Sequence, residues 1–248
     1  MCAPRPEARR RPRMADRART PRERYREQTR GEIKRSAVRR LAEGGVENVA
    51  LLRIAKEIGL SGPALYRYFG SRDELLAELV TDAYQALADA VRAVDLGGGG
   101  RASLQALAAA YRAWALAQPH LYLLIQGTPV PGFEAPAETV ERARAVLGPF
   151  LTVFAEGRPT PALEPLVAES AAWLREDAAV AAWVERWTGL AADAPGAAVA
   201  LTGAVTAWPQ THGVVGLEAA GQFTGMGQRP ATLLPLQMNL LADAFRLP

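Results

Sequence analysis

LLRIAKEIGLSGPALYRYFGSRDELL, residues 51–76, is the stretch on which the fold turns. Ile54, Ala55, Ile58, Leu60 and Leu65 are spaced as two short helices need when they share one core across a tight turn. Gly59 marks that turn: without a Cβ it takes the left-handed backbone that ends a helix, and Lys56 and Glu57 before it stay solvated. Ser61 is placed to cap the following helix, and Pro63 falls in its first turn, where a missing N–H costs nothing. The stretch therefore predicts a helix-turn-helix, its first helix over about 51–58 and its second over about 62–69.

Upstream, Ile33, Ala37, Val38 and Leu41 form one apolar stripe on a basic helix from about Tyr25 to Gly44, suited to cover the pair. Downstream, Ser71 with Glu74 three residues on is a capping box opening a helix that runs to about Val94. Asp73 and Glu74 suit the positive end of its dipole, and Leu75, Leu79, Ala83 and Leu87 face one way. Gly97 to Gly100 then predict a flexible break.

Charge is distributed unevenly. Residues 1–72 hold nineteen Lys or Arg against eight Asp or Glu, a balance of +11, whereas residues 73–248 hold ten against eighteen, a balance of −8. A basic head on an acidic body is what a polyanion-binding module joined to a separate one shows, although a solvated arginine-rich tail yields the same count. Residues 1–24 are rich in arginine and proline and poor in apolar side chains, which predicts a disordered tail. Its arginines either follow DNA beside a bound helix or merely solvate a leader, and Met14 offers a second start. No apolar run approaches the roughly 18–20 residues of a spanning helix, and the arginine-rich start lacks the apolar core of a signal peptide, which places the chain in the cytoplasm. The lone cysteine, Cys2, allows no intramolecular disulfide.

From Arg101 the chain reads as helices: 101–118, a short apolar one over 119–127, another over about 137–157 with a kink at Gly148-Pro149, and one or two more before Pro195. TPVPGFEAP, residues 128–136, cannot be helical and predicts an ordered loop or lid. Leu and Ala far outnumber β-branched residues, so the class is all-α. No phosphate loop, nucleophile elbow or paired histidine ligands occur, so neither enzyme chemistry nor a metal or other cofactor is expected.

The stretch ALYRYFGSRDELL, with Tyr66, Tyr68, Phe69, Ser71 and Leu75 in place, resembles the DNA-binding domain of the TetR family of transcriptional repressors, and IKRSAVRRLAEGGVENV continues the likeness upstream. Trp208 followed by His212-Gly213, and YRAWALAQPHLYLLIQGTPVPGF earlier, resemble the C-terminal domain of a Trp…His-Gly branch of that family. The resemblance implies a tail over 1–24, a helix-turn-helix domain over 25–72, a connecting helix over 73–96 and a ligand-binding and dimerisation domain over 101–248. It implies double-stranded DNA as partner, read by Ser61, Gly62, Pro63 and Ala64 at base edges, with Tyr66 and Arg67 reaching further; Arg67 either reads a guanine or grips phosphate. Tyr68 and Arg72 are implied phosphate donors, joined by Arg53. The sequence departs from the family where the first helix of the pair begins: Ala50, Leu51 and Leu52 stand where a capping Ser or Thr and a polar residue are usual, leaving Asn48 as a substitute cap.

The implied effector is a small molecule among aromatic side chains. Trp114, Tyr122, Phe133, Trp173, Trp208 and His212 are the candidate lining, with Tyr111, Phe154, Trp183 and Trp187 as further aromatics of the body; His212 either bonds a ligand or orients the Trp208 region. The last two long helices are implied to pair with their copies in a homodimer, their approach eased by Ala197, Ala198, Gly203, Gly213 and Gly216. The expected function is a repressor released from an inverted-repeat operator by its effector. The alternative is a helical small-molecule-binding or sequestering protein whose head binds DNA weakly and without sequence preference, a reading sustained by Leu51 and Leu52.

Overall fold

A computed structural model of the chain describes residues 20–126 and 138–248, and every regular element among them is helical. Helix α1 (Pro21–Gly44) begins four residues before the expected Tyr25. Thr20 caps it: the Thr20 hydroxyl accepts from the Glu23 N–H at 3.2 Å while the Glu23 carboxylate accepts from the Thr20 N–H at 2.8 Å, and Pro21 stands at the first helical position. Residues 21–24, assigned to the tail by composition, thus form the first turn of a helix.

A short 3-10 turn (Val46–Asn48) leads to α2 (Leu51–Glu57) and α3 (Gly62–Leu65). Gly59 has φ +74°, as the turn between them requires, and the Ser61 hydroxyl accepts from the Ala64 N–H at 3.3 Å. Helix α3 is shorter than the expected 62–69. After Leu65 the bonding tightens, Arg67 N–H to Ala64 carbonyl at 3.3 Å and Tyr68 N–H to Leu65 carbonyl at 2.8 Å. This winding sets Phe69 into the head core, where the Arg30 guanidinium lies 4.2 Å from its ring centroid and also donates to the Tyr68 carbonyl. Ile33, Ala37 and Leu41 of α1 close over Ile54, Ala55 and Leu65, and Leu75, Leu76 and Leu79 of α4 (Arg72–Arg92) complete the cluster.

Ser71 caps α4 as expected, accepting from the Glu74 N–H at 3.0 Å. The Glu74 carboxylate, however, takes the Gly70 N–H at 2.7 Å, so the cap reaches one residue further back than a capping box. Farther along α4, Leu87, Ala88 and Val91 enter a second, larger core. That core gathers α5 (Gly100–Ala117), α6 (Pro119–Gln126), α7 (Glu138–Phe154), α8 (Glu164–Glu176), α9 (Ala178–Thr188), α10 (Pro195–Ala219) and α11 (Pro230–Ala244). The segment expected as one or two helices before Pro195 is two, because the Asp177 carboxylate caps α9 by accepting from the Ala179 and Val180 N–H groups.

Two expectations change here. The glycine run does not form a loose break: the Arg101 N–H donates to the Pro248 carbonyl at 2.8 Å, Arg101 pairs with Asp243 at 2.6 Å, and a Cβ on Gly100 would lie 3.2 Å from Leu247. Of the small residues expected at a subunit interface, Ala197, Ala198 and Gly203 are buried within their own chain. A Cβ on Gly203 would sit 2.1 Å from the Phe154 ring, so α10 needs glycine there to approach α7. Gly213 alone of the five is exposed with open space around it. No helix among the described residues is long and apolar enough to cross a membrane.

Candidate functional site

On the head, Ser61, Pro63, Tyr66 and Arg67 are exposed, and Gly62, Ala64 and Tyr68 are half-buried beside them, so the expected contact residues share the surface of α3 and the turn after it. Tyr66 is 48% exposed. The departure at the start of α2 resolves into two different residues. Leu51 fills the head core, whereas Leu52 is 63% exposed, with its Cδ2 3.0 Å from where a Gly62 Cβ would stand. Any side chain at 62 would therefore push against Leu52.

Asn48 does not replace the missing cap. Its amide donates to the Arg40 carbonyl at 3.2 Å, its oxygen accepts from Arg53 at 3.3 Å, and α2 begins at Leu51 with Ala50 in the cap position and no side-chain cap. Arg72 also departs from expectation. Its guanidinium turns inward, donating to the Val49 carbonyl at 3.0 Å and the Val46 carbonyl at 2.7 Å, which braces the turn ahead of α2 and leaves three of five N–H groups for anything outside.

Four of the head's cations are held by carboxylates of the head and α4. Arg30 and Lys34 pair with Glu78 and Asp82 on α4, and Arg39 and Arg40 pair with Glu57, whose carboxyl the Arg39 hydrogen bond holds below its ordinary range. Among the described residues, Arg53, Lys56 and Arg67 have no ion pair. Paired cations brace α1 against α4 and α2, while the unpaired ones remain available to an external polyanion.

The body holds a cavity of about 310 Å³ lined by aromatic residues of different helices: Tyr84, Tyr111, Trp173, Trp183 and Trp208, with Arg144 and Gln126 as polar groups. Trp173 and Trp208 were expected there. The other candidates lie elsewhere. Trp114 lines a separate cleft between α1, α4 and α5. Tyr122 and His212 meet each other in a 2.8 Å hydrogen bond beside an open groove, and Phe133, with the whole loop expected over 128–136, lies outside the described residues. Tyr122 is fully buried, its ring edge-on to Tyr111 at 5.9 Å, and burial pushes its phenol up to about 12. His212 is held below its ordinary value by burial and stacks on Trp208 with centroids 6.2 Å apart. Phe154 and Trp187 pack against other body side chains. Sequence reasoning missed Tyr84, Arg144 and Gln126: they sit in helices that read as a connector and as ordinary amphipathic segments, and no local pattern marks them.

Comparisons with known proteins bear on both regions. The family model for "Bacterial regulatory proteins, tetR family" matches residues 33–79, and that for "Tetracyclin repressor-like, C-terminal domain" matches residues 104–241. HTH-type transcriptional regulator Rv1816 of Mycobacterium tuberculosis and HTH-type transcriptional regulator Mb1846 of Mycobacterium bovis are each 40% identical over 139 residues, which is 54% of this chain and 59% of theirs. The match thus spans less than two thirds of those relatives. The solved structure of a protein described as a regulatory protein, SCO4313, superposes with a TM-score of 0.71 at 41% identity, covering 90% of this chain and 100% of that one. A protein of unknown function from Rhodococcus sp. RHA1 superposes with a TM-score of 0.60 at 25% identity, covering 87% of this chain and 94% of that one.

Proposed function

The chain belongs to the tetR family of bacterial regulatory proteins, and on that premise we propose that it is a homodimeric repressor that leaves an inverted-repeat operator when a small molecule enters its body. The observation that carries the reading is the exposed face of Ser61, Pro63, Tyr66 and Arg67, on a head that also keeps Arg53 and Lys56 out of ion pairs. Small residues at the start of α3 let its backbone approach base edges in the major groove, Arg67 and Tyr66 reach bases or phosphates, and Arg53 meets the backbone. Tyr68 and the remaining N–H groups of Arg72 flank them.

Two heads on a two-fold axis read half-sites about one helical turn, or 34–36 Å, apart. The dimer face proposed is the outer side of α10 and α11, where Gly213 is open and Leu217, Leu236 and Leu240 are exposed. The effector site proposed is the aromatic cavity. Helix α6 supports a route from it to the head: Gln126 lines the cavity, the Ile125 carbonyl accepts from the Tyr84 hydroxyl at 3.0 Å, Tyr122 bonds His212, and Leu121 and Leu124 pack on the head core. The stacking of Trp208 on His212 one turn later supports the Trp…His-Gly likeness. Moving the dimer from mostly bound to mostly free asks of the effector about 5.5 kcal/mol of differential affinity.

The test is selection of bound fragments from random duplex DNA by the full chain at near-physiological salt. Enrichment of one inverted repeat is expected. Enrichment of nothing, with binding that disappears as salt rises, would replace the repressor by the sequestering protein.

A further inference from the structure

The polar groups around the aromatic cavity are unequally occupied. The Tyr84 hydroxyl already donates to the Ile125 carbonyl, and the Trp183 indole N–H donates to the Arg144 carbonyl at 3.1 Å. Tyr111 differs. It is 1% exposed, lines the cavity, and its hydroxyl makes no hydrogen bond among the described residues. The Tyr122 hydroxyl stands beside it and raises its phenol both by charge and as a side-chain hydrogen-bond partner, though outside ordinary hydrogen-bond geometry, and is itself hydrogen-bonded to His212. Burial holds the Tyr111 phenol well above its ordinary value, so it stays protonated, and its hydroxyl has no acceptor at ordinary hydrogen-bond geometry among the described residues.

Charge points the same way. Arg144 is the one ionised side chain among the described lining residues, which include no carboxylate. Its side chain is 19% exposed, one of its N–H groups pairs at 2.8 Å with Glu141, which is 60% exposed, and its charge also acts on the Asp177 carboxylate that caps α9; neither carboxylate lines the cavity. The guanidinium keeps further N–H groups for a carboxylate, which it can meet with two parallel bonds. Trp173, Trp183 and Trp208 supply flat apolar walls, and the volume of about 310 Å³ stands at the small end of the roughly 300–1,000 Å³ of small-molecule pockets.

We propose that the ligand of this cavity is a compact organic acid, a flat apolar body bearing one carboxylate, with Arg144 as its ion-pair partner and Tyr111 as donor to one of its oxygens. The inference rests on the reading of the cavity as the effector site and goes beyond it in naming the ligand's charge. An amine or quaternary ammonium of the same shape finds aromatic faces but also the like charge of Arg144, and leaves the Tyr111 hydroxyl unsatisfied.

Calorimetric titration of the full chain with 2-naphthoate, 2-naphthamide and a naphthylmethyl-trimethylammonium salt tests it. The acid is expected to bind at least ten-fold tighter than the amide, and the cation more weakly than either. Arg144→Gln should erase the preference for acid over amide, Arg144→Lys should restore part of it, and Tyr111→Phe should weaken acid and amide together. Thermal melting confirms that each variant is folded. Equal binding of all three probes, a preference for the cation, or an acid preference that survives Arg144→Gln would overturn the acid class and leave the cavity as an effector site. Binding of none of the three would remove both readings.

Discussion

In the head, the exposed face is built from neighbours in sequence, residues 61–67, whereas the walls of the body cavity come from residues 84 to 208 on seven helices. The head leaves the side chains of that face outside a small core. The body turns its aromatic side chains inward, and even its glycines serve close packing: a Cβ on Gly148 would stand 2.0 Å from the Trp187 indole. One region can therefore lose its exposed face and keep its fold, while the other holds fold and cavity in the same side chains.

The largest effect that follows is in the body. Phe154→Ala removes a ring stacked edge-on against Phe245 at 4.7 Å and packed against Gly203, and should cost about 3–5 kcal/mol. A thermal melt should fall by several degrees per mutation of this kind, at about 2–4 °C per kcal/mol for a chain of this size. A drop of only a degree or two would mean that the body is not held as tightly as its contacts imply.

In the head, Tyr66→Ala and Arg67→Ala should each weaken operator binding by about 1–3 kcal/mol and leave the melting temperature where it was. Titration of the selected duplex together with a melt checks both halves of that statement. A lowered melt would place these residues in the fold and dissolve the contrast with the body. Arg72→Ala sharpens it, because this side chain belongs to both categories: loss of its bonds to Val46 and Val49 should destabilise the head by about 1–2 kcal/mol, so affinity and melting temperature fall together.

The smallest effect concerns pH. Burial holds the folded-state pKa of His212 below its ordinary 6.5. Between those two values the unfolded chain binds a proton that the folded chain refuses, so stability falls as the pH drops through about 6.5 and levels off below the folded value. His212 is partly exposed, which keeps the change modest. Melting temperatures measured between about pH 5 and 7 should slope less for His212→Gln than for the unaltered chain, and equal slopes would assign the acid sensitivity to other groups.

The turn between α2 and α3 was legible because its causes are local: Gly59 is needed where φ is positive, Ser61 caps three residues on, and Pro63 lacks an N–H where none is required. The inward bonds of Arg72 were not legible for the opposite reason, since its acceptors lie 23 and 26 residues earlier and nothing in its own neighbourhood signals them. The glycine run read as a linker because its composition permits one, whereas the chain end that pins it lies far along the sequence. Of the six expected pocket residues, Trp173 and Trp208 line the cavity together, while Tyr122 and His212 form a separate pair and Trp114 faces a different cleft.

Residue order by itself determined the helical class, the helix-turn-helix and the face it exposes, because caps, turns and helical periodicity act over a few residues. Only the tertiary structure decided which cations stay unpaired, which small residues are consumed inside one chain, and which aromatics surround a cavity with Arg144 and the unbonded Tyr111 hydroxyl. Those outcomes depend on side chains that meet across long stretches of chain, where close packing and the pairing of buried polar groups leave no trace in local pattern.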